Sequence, residues 1–277
     1  MRLNVTHRTH YSFDAPKRTL TQSLRLWPTD FDGQKVESWS VDIEGHEAER
    51  GAALRDGAGD WIETVAMRNV SDVTIAVSGI VETRDLTGFV RGLREKVSPI
   101  AYLRPSPMTR LDDALRELSA DAVEGATNPL DRAHALARAV SDAIPYHSGA
   151  TESGTTAAEA LALGQGVCQD QAHALIAIAR AAGMPGRYVS GYLHASADGT
   201  LHEASHAWAE IWVEEMGWVG FDAANRCCPD EKYVRLASGL DSVGAAPIRG
   251  LAIGGGMEHL DVDVKVVEAS QQQQQQQ

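Results

Sequence analysis

The segment GQGVCQDQAHALIAIARAAG, residues 164–183, carries the strongest helical pattern in the chain. Its apolar residues recur at three- and four-residue spacing, which predicts an amphipathic helix from Val167 to Ala182. Gly183 and Pro185 follow directly and are typical of a helix end. The pattern therefore places Cys168 in the first turn of the helix, where the role of its sulfur depends on what else the fold brings to that point.

Cys168 fits two interpretations. A free cysteine is among the most buried residue types and packs as a small hydrophobe. The first turn of a helix, however, presents N–H groups without intrahelical acceptors, and these favour a negative charge such as a thiolate or a developing oxyanion. Asp170 shares that turn, and its carboxylate would oppose a thiolate if it pointed inward. A thiol nucleophile also needs a base and a group that orients the base.

A second segment, SHAWAEIWVEEMGWVGFDAAN at residues 205–225, contains side chains suited to both roles. Its alternation predicts a β-hairpin with a turn near residues 214–217, and His206 lies at the start of the first strand. Asp222 lies at the end of the returning strand. The two side chains can meet only if the register places them on one face of the sheet, and the sequence leaves that register open.

The same histidine completes HEASH, residues 202–206, which matches the zinc-peptidase pattern H-E-x-x-H. That pattern holds a metal on a helix, where residues four apart share a face. In the strand predicted here, His202 and His206 would be about 13 Å apart. We therefore predict no metal site and no cofactor. Cys227 and Cys228 have no C-x-x-C partner, and three cysteines make no disulfide framework.

The hydrophobic pattern divides the chain into three parts. Short strands separated by turns predict a β-sandwich-like domain over residues 1–100. Residues 86–108 contain three prolines and form a connector; the helices and then strands beyond it predict an α+β domain over residues 101–270. Alternation at its carboxy end predicts one last strand. The glutamine run at residues 271–277 is low in complexity and predicts a disordered tail.

The composition restricts the class of partner. Of the 277 residues, 43% are hydrophobic and 23% charged, as in globular proteins. A formal net charge of −13 argues against a nucleic acid or an anionic membrane as the main partner. No apolar run reaches the length of a membrane span and the amino terminus has no signal-peptide pattern, so we predict a cytoplasmic location. The sequence gives no indication of the oligomeric state.

Three motifs, GVCQD, SHAWAEIWV and GWVGFDAAN, together resemble the transglutaminase-like cysteine enzymes, whose triad is Cys, His and Asp in that chain order. The resemblance implies Cys168 as nucleophile, His206 as base and Asp222 as the group that orients the base. It also implies a papain- or transglutaminase-like core, with the nucleophile on a helix packed against an antiparallel sheet. VTHRTHYSFDAP, SLRLWP and GAAPIRGLAIGGG resemble the β-rich amino-terminal region and the closing segment of bacterial members. This chain differs from the family pattern at two points. Gln171 stands where many members have an aromatic residue, and FDAAN stands where FDPTN is commoner.

The same resemblance implies acyl transfer through a thioester, on peptide bonds or glutamine carboxamides of a peptide or protein substrate. The amide of Cys168 is one expected oxyanion donor, and Gln165 and Tyr146 are candidates for the second. Similarity to bacterial members, without an obvious calcium loop, favours hydrolysis by a cysteine protease or amidase. Two alternatives stay open: a protein-glutamine transamidase, and a non-catalytic binding module with the same fold.

Overall fold

The computed structural model describes residues 1–194 and 205–269. His202, and with it the H-E-x-x-H pattern, lies outside the described residues, as does the glutamine tail at 271–277. Within the described ranges, no helix is both long and apolar enough to cross a membrane.

The amino-terminal strands form an antiparallel sheet from β1 (Arg2–Leu24), β2 (Gln34–Glu44), β3 (Glu49–Arg50), β4 (Leu54–Arg55) and β5 (Trp61–Thr83). The expectation of short strands is wrong here, because β1 and β5 are each 23 residues long. Both strands bend instead of ending: the β1–β5 register shifts between Ser12 and Lys17, and Asn69 in β5 has a φ of 55°. Polar residues at such bends look like turns in a sequence. The bends let the two halves of the sheet share one apolar core.

The connector contains a 3₁₀-helix (Pro99–Leu103), and it is followed by α1 (Asp113–Val123), α2 (Pro129–Ala143), α3 (Ala157–Leu163) and α4 (Cys168–Ala181). Side chains of the N-cap residues cap the starts of α1, α2 and α3. Asn128 Oδ1 accepts the N–H of Asp131 at 2.9 Å, and Thr156 and Glu159 form a capping box. Gly164 ends α3 with a φ of 68°, in the left-handed region that favours glycine. α4 confirms the predicted helix, with Cys168 as its first residue.

A second antiparallel sheet contains β6 (Phe89–Val90), β7 (Gly186–Leu193), β8 (Ser205–Val213), β9 (Gly217–Phe221) and β10 (Tyr233–Gly239). Its strand order is β10-β7-β8-β9-β6. α4 packs on one face, in a core that includes Ala207, Ala209 and Ile211 of β8. Because side chains alternate along a strand, His206 and Glu210 belong to the opposite face.

The last two strands return to the first sheet. β11 (Ile248–Ile253) and β12 (Glu258–Glu268) both pair antiparallel with β1, from Leu24 opposite Ile248 to Leu3 opposite Glu268. The predicted last strand is therefore present, but it lies in the amino-terminal sheet, whereas the sequence pattern grouped it with residues 101–270. Alternation predicts that a segment is a strand, and it does not specify the strand with which it pairs.

The face of the second sheet that points away from α4 is built around Glu210, which is fully buried. Its carboxylate accepts hydrogen bonds from Arg187 Nε at 2.6 Å and Arg235 Nε at 3.0 Å. Arg187 also reaches Glu95 of the connector at 2.8 Å, and Arg235 reaches Asp60 of the first sheet's β4–β5 turn at 2.6 Å. Burial raises the pKa of Glu210, but the two guanidinium charges outweigh it and hold that pKa below its ordinary value. This network ties the amino-terminal region and the connector to the second sheet.

Removing the central carboxylate should destabilise the whole chain. We expect Glu210→Ala to lower the free energy of unfolding by about 3–5 kcal/mol, because it leaves two buried guanidinium groups without their shared partner. Urea unfolding followed by circular dichroism measures this change. Glu82→Ala is the matched control, since Glu82 pairs with Arg84 at a surface where both side chains are at least 37% exposed, and its effect should be about 1 kcal/mol or less. Equal losses in the two variants would contradict the structural role of the network.

Candidate active site

The structure brings the three predicted site residues together. Cys168 opens α4, His206 is the second residue of β8, and Asp222 directly follows β9. His206 Nε2 lies 2.6 Å from Asp222 Oδ2, and both side chains are buried. Cys168 and His206 line one cleft with a volume of about 510 Å³. Cys168 is among the groups that raise the pKa of the His206 imidazole.

The register of the hairpin explains why the histidine and the aspartate meet. Ala209 is opposite Phe221 in the β8–β9 pair. Continuing this register by one residue places Asp222 opposite Trp208, which is two positions from His206 on the same face. Neighbours offset by two positions on one face are within reach of long side chains. The sequence alone left this pairing register open, and in the structure it places the side chains of His206 and Asp222 within reach of each other.

Asp222 is held by a full set of hydrogen bonds. Its Oδ2 accepts from His206, from Asn225 Nδ2 at 2.8 Å and from the hydroxyl of Tyr233 at 2.7 Å. Its Oδ1 accepts the backbone N–H groups of Ala224 at 3.0 Å and Asn225 at 3.2 Å. Burial by itself raises the pKa of this carboxyl, but the charge of His206 and these donors lower it below its ordinary value. The group is therefore a fixed anion.

That anion determines the protonation of His206. Burial lowers the pKa of the imidazole, but the charge and hydrogen bond of Asp222, with a smaller contribution from Cys168, raise it to about 10. The ring is thus an imidazolium at neutral pH. Because Nε2 is engaged by Asp222, Nδ1 is the ring nitrogen available to the thiol. The arrangement can hold a thiolate–imidazolium pair and later deliver a proton from Nδ1.

Asp170, the acidic residue in the first turn, has a capping role. Its Oδ2 accepts the N–H of Val167 at 2.8 Å and the hydroxyl of Thr151 at 2.5 Å. The residue before Val167 must be small, since a Cβ added at Gly166 would lie 2.9 Å from the Cβ of Asp170. The carboxylate thus satisfies the donor just before the helix and leaves the amide of Cys168 unused in the first turn.

One wall of the cleft is the loop between β10 and β11, residues 240–247. His173 Nε2 accepts the N–H of Ser242 at 3.0 Å, and the hydroxyl of Ser190 donates to the carbonyl of Ala245 at 2.6 Å. The N–H of Arg25 donates to the carbonyl of Pro247 at 2.7 Å. Burial lowers the pKa of His173 to about 4, so this histidine is a neutral structural anchor.

Sequence reasoning missed Tyr233 and Asn225 as partners of Asp222. Asn225 had a local signal, because an amide three residues after a strand-ending aspartate is typical of a tight turn. No local signal indicated Tyr233, because it lies on another strand, β10. Of the two oxyanion candidates, neither Gln165 nor Tyr146 lines the cleft in the described part of the chain. Burial, together with the charge of Cys168, raises the pKa of the half-exposed Tyr146.

His206 lies on a strand and contacts a carboxylate, whereas the H-E-x-x-H pattern holds a metal on a helix. Nε2 is directed to Asp222, and residues 205–213 are extended. His202 lies outside the described residues. Among residues 1–194 and 205–269, no group of three or more His, Cys, Asp or Glu side chains is arranged to hold a metal ion.

Comparisons with known proteins agree with this architecture. Residues 116–223 match the model of the transglutaminase-like superfamily, and residues 3–82 match the bacterial transglutaminase-like N-terminal region. An uncharacterized protein of Mycobacterium leprae is 30% identical over 284 residues, covering 96% of this chain and 98% of its own. A protein-glutamine gamma-glutamyltransferase of Pseudomonas aeruginosa is 34% identical over 86 residues, which is 27% of this chain and 12% of that protein.

Among solved structures, one called a "Putative Cysteine Protease from Cytophaga hutchinsonii" superposes with a TM-score of 0.75 at 22% identity. The superposition covers 97% of this chain and 91% of the other, so the two share the fold over nearly their whole lengths. The family models, the full-length relative and the shared fold lead to one assignment. The chain belongs to the transglutaminase-like superfamily and carries the bacterial N-terminal region of that superfamily.

Proposed function

We propose that this chain is a thiol acyl-transfer enzyme that hydrolyses peptide bonds or glutamine carboxamides, with Cys168 as nucleophile, His206 as acid and base, and Asp222 as its orienting partner. The observation that carries the proposal is the short contact between His206 Nε2 and Asp222 Oδ2 beside the cleft that Cys168 lines. A nucleophile, a base and an orienting group within one site are the requirements for covalent catalysis of acyl transfer.

The first step is attack of the Cys168 thiolate on the substrate carbonyl carbon. A C–S bond forms and the carbonyl π electrons move to oxygen, where the N–H of Cys168 in the first turn of α4 is positioned to stabilise the charge. Collapse of this intermediate breaks the C–N bond. The imidazolium of His206 gives its proton to the departing amine or ammonia, and a thioester remains on Cys168.

The second step is hydrolysis of the thioester. Neutral His206 takes a proton from water as the water oxygen attacks the thioester carbonyl. The intermediate then collapses, the C–S bond breaks, and the sulfur leaves as a thiolate beside the imidazolium, which restores the ion pair. Asp222 stays ionised throughout and keeps the proton of Nε2 directed toward itself, so that Nδ1 exchanges protons with the sulfur and the substrate. The net products are a carboxylic acid and an amine or ammonia.

The lining of the cleft supports water over an amine as the acceptor. Transfer to an amine is favoured by a second pocket that excludes water from the thioester. The tryptophans that could form such a pocket, Trp208, Trp212 and Trp218, do not line the cleft in the described part of the chain. Trp208 packs against Tyr233, and Trp212 packs against Trp218 on the face opposite α4.

Transamidation is the second candidate. It is favoured by the similarity of 27% of this chain to the gamma-glutamyltransferase of P. aeruginosa. The two candidates share Cys168 and the thioester, and they differ only in what resolves it. A non-catalytic binding module would form no thioester on Cys168.

A competition assay separates these functions. The protein is incubated with a library of glutamine-containing peptides and an excess of a dansylated alkylamine, and the products are identified by mass spectrometry. We expect cleaved or deamidated peptides with little amine incorporated, because water reaches the open cleft. Cys168→Ala is the control and should give no product of any kind. Dominant incorporation of the amine would establish transamidation instead, and no product, combined with an unreactive Cys168, would establish a binding module.

A further inference from the structure

The cleft at Cys168 has an unusual charge for this protein. The chain contains 38 acidic and 25 basic residues and has a formal net charge of −13. Yet none of the described residues that line the cleft is acidic. Apart from His206, the charged side chain in that lining is Arg249, at the start of β11.

Arg249 has no acidic partner among residues 1–194 and 205–269. Its side chain is exposed, and within the described part of the chain no carboxylate or other acceptor pairs with its guanidinium. Other arginines of the first sheet, such as Arg2, Arg8 and Arg50, each have a glutamate partner. A guanidinium presents parallel N–H donors that match both oxygens of a carboxylate, so an unpaired one beside a reactive thiol is suited to an anionic group of the substrate.

The amino-terminal sheet places Arg249 at this point. Arg249 pairs with Ser23 of β1, and the preceding loop is held by the hydrogen bond from Arg25 to Pro247. The remainder of that wall consists of small side chains, namely Ser242, Val243, Ala245, Ala246 and Pro247. The position lies outside both matched family regions, which cover residues 3–82 and 116–223. A strand of the first sheet thus places an arginine at a site whose reactive groups come from α4 and the second sheet.

We propose that Arg249 is a specificity-determining residue that binds a carboxylate of the substrate, so that the substrate class is anionic peptides. This inference rests on the proposed function for its substrate, but the binding of an anion beside Cys168 can be tested separately. The carboxylate is either an acidic side chain or a free carboxy terminus.

The first measurement needs no turnover. In a Cys227→Ala/Cys228→Ala background, Cys168 is alkylated by iodoacetate, which is an anion, and by iodoacetamide, which is neutral and of similar size. We expect Arg249→Gln to lower the ratio of the iodoacetate rate to the iodoacetamide rate about threefold, which is the effect of one unit charge on an anion a few ångströms away in water. Arg249→Glu should lower this ratio further. Arg249→Lys should keep the ratio. Arg110→Gln, which removes an exposed arginine outside the cleft, is the matched control and should not change it.

The second measurement identifies the source of the carboxylate. Turnover is compared for three otherwise identical peptides: one with an internal glutamate and an amidated end, one with a free carboxy terminus, and one with neither. We expect one of the two anionic peptides to be preferred by the unaltered protein and the preference to disappear in Arg249→Gln. An alkylation ratio that Arg249→Gln leaves unchanged, or equal use of all three peptides, would overturn the inference. If the inference about Arg249 fails but turnover still depends on Cys168, the proposed function stands. If Arg249→Gln shifts the alkylation ratio but the protein turns over no peptide, only the proposed function is overturned.

Discussion

Replacing Cys168 with alanine is expected to abolish turnover, by a factor on the order of 10⁴ or more, because no other group in the cleft can form the thioester. The fold should be retained. Cys168 lies at the end of a helix and is partly exposed, so the loss of one sulfur atom leaves no large cavity. Hydrolysis of the best peptide from the library measures the activity, and thermal unfolding monitors the structure.

The other two cysteines provide the matched control. Cys227 and Cys228 are also partly exposed, but burial of their thiols raises the pKa of Cys228 and brings that of Cys227 to about 11. The double variant Cys227→Ala/Cys228→Ala should therefore keep its turnover. Mass spectrometry after brief iodoacetamide treatment near neutral pH should find the label on Cys168. Full activity of Cys168→Ala, or faster labelling of Cys227, would refute the assignment of the nucleophile.

Asp222→Asn is expected to reduce turnover at neutral pH by about 10³–10⁴-fold. The pKa of His206 is raised to about 10 because the charge of Asp222 outweighs burial. An imidazole with a raised pKa keeps its proton as the pH rises, and it loses the proton only near that value. Without the charge, burial dominates and the pKa falls below the ordinary 6.5. The histidine is then neutral at pH 7 and can no longer form the ion pair with Cys168.

The hydrogen bonds of Asp222 add a second cost to this substitution. Oδ2 faces three donors and Oδ1 faces two backbone N–H groups. Both positions of the carboxylate oxygens face donors, so either orientation of an asparagine side chain would point its NH₂ group at hydrogen-bond donors. We expect some loss of stability from this conflict. For this reason the test compares the pH dependence of the reaction, which a purely structural role of Asp222 would not change.

The measurement is the rate of turnover, and of Cys168 alkylation, from about pH 5 to about pH 11. The unaltered protein should lose activity in the alkaline range near the pKa of His206, and Asp222→Asn should show this limit several pH units lower. Asp142→Asn is the control, since Asp142 is an exposed carboxylate paired with Arg226 at 2.7 Å. An alkaline limit that stays in place in Asp222→Asn would contradict the proposed role of the carboxylate.

The amino-acid sequence was sufficient for local features whose cause lies within a few residues. The spacing of apolar residues predicts α4, and the position of Cys168 before that pattern predicts its place at the helix start. Alternation predicts β8 and β9 and puts His206 near one end of the hairpin and Asp222 near the other. The motifs around these residues were enough to recognise the family. Each of these properties depends on backbone geometry and on neighbours close in the chain.

The tertiary structure decided every feature that depends on which strands pair. Alternation states which residues of a strand share a face, but the partner and the register follow from packing across the whole sheet. The β8–β9 register places Asp222 beside His206, and β10 brings Tyr233 to the same carboxylate. Pairing of β11 with β1 carries Arg249 to the cleft, although the chain pattern grouped that strand with the second domain. These contacts join residues far apart in sequence, and no local pattern specifies them, because their energy is gained only when the two sheets are assembled.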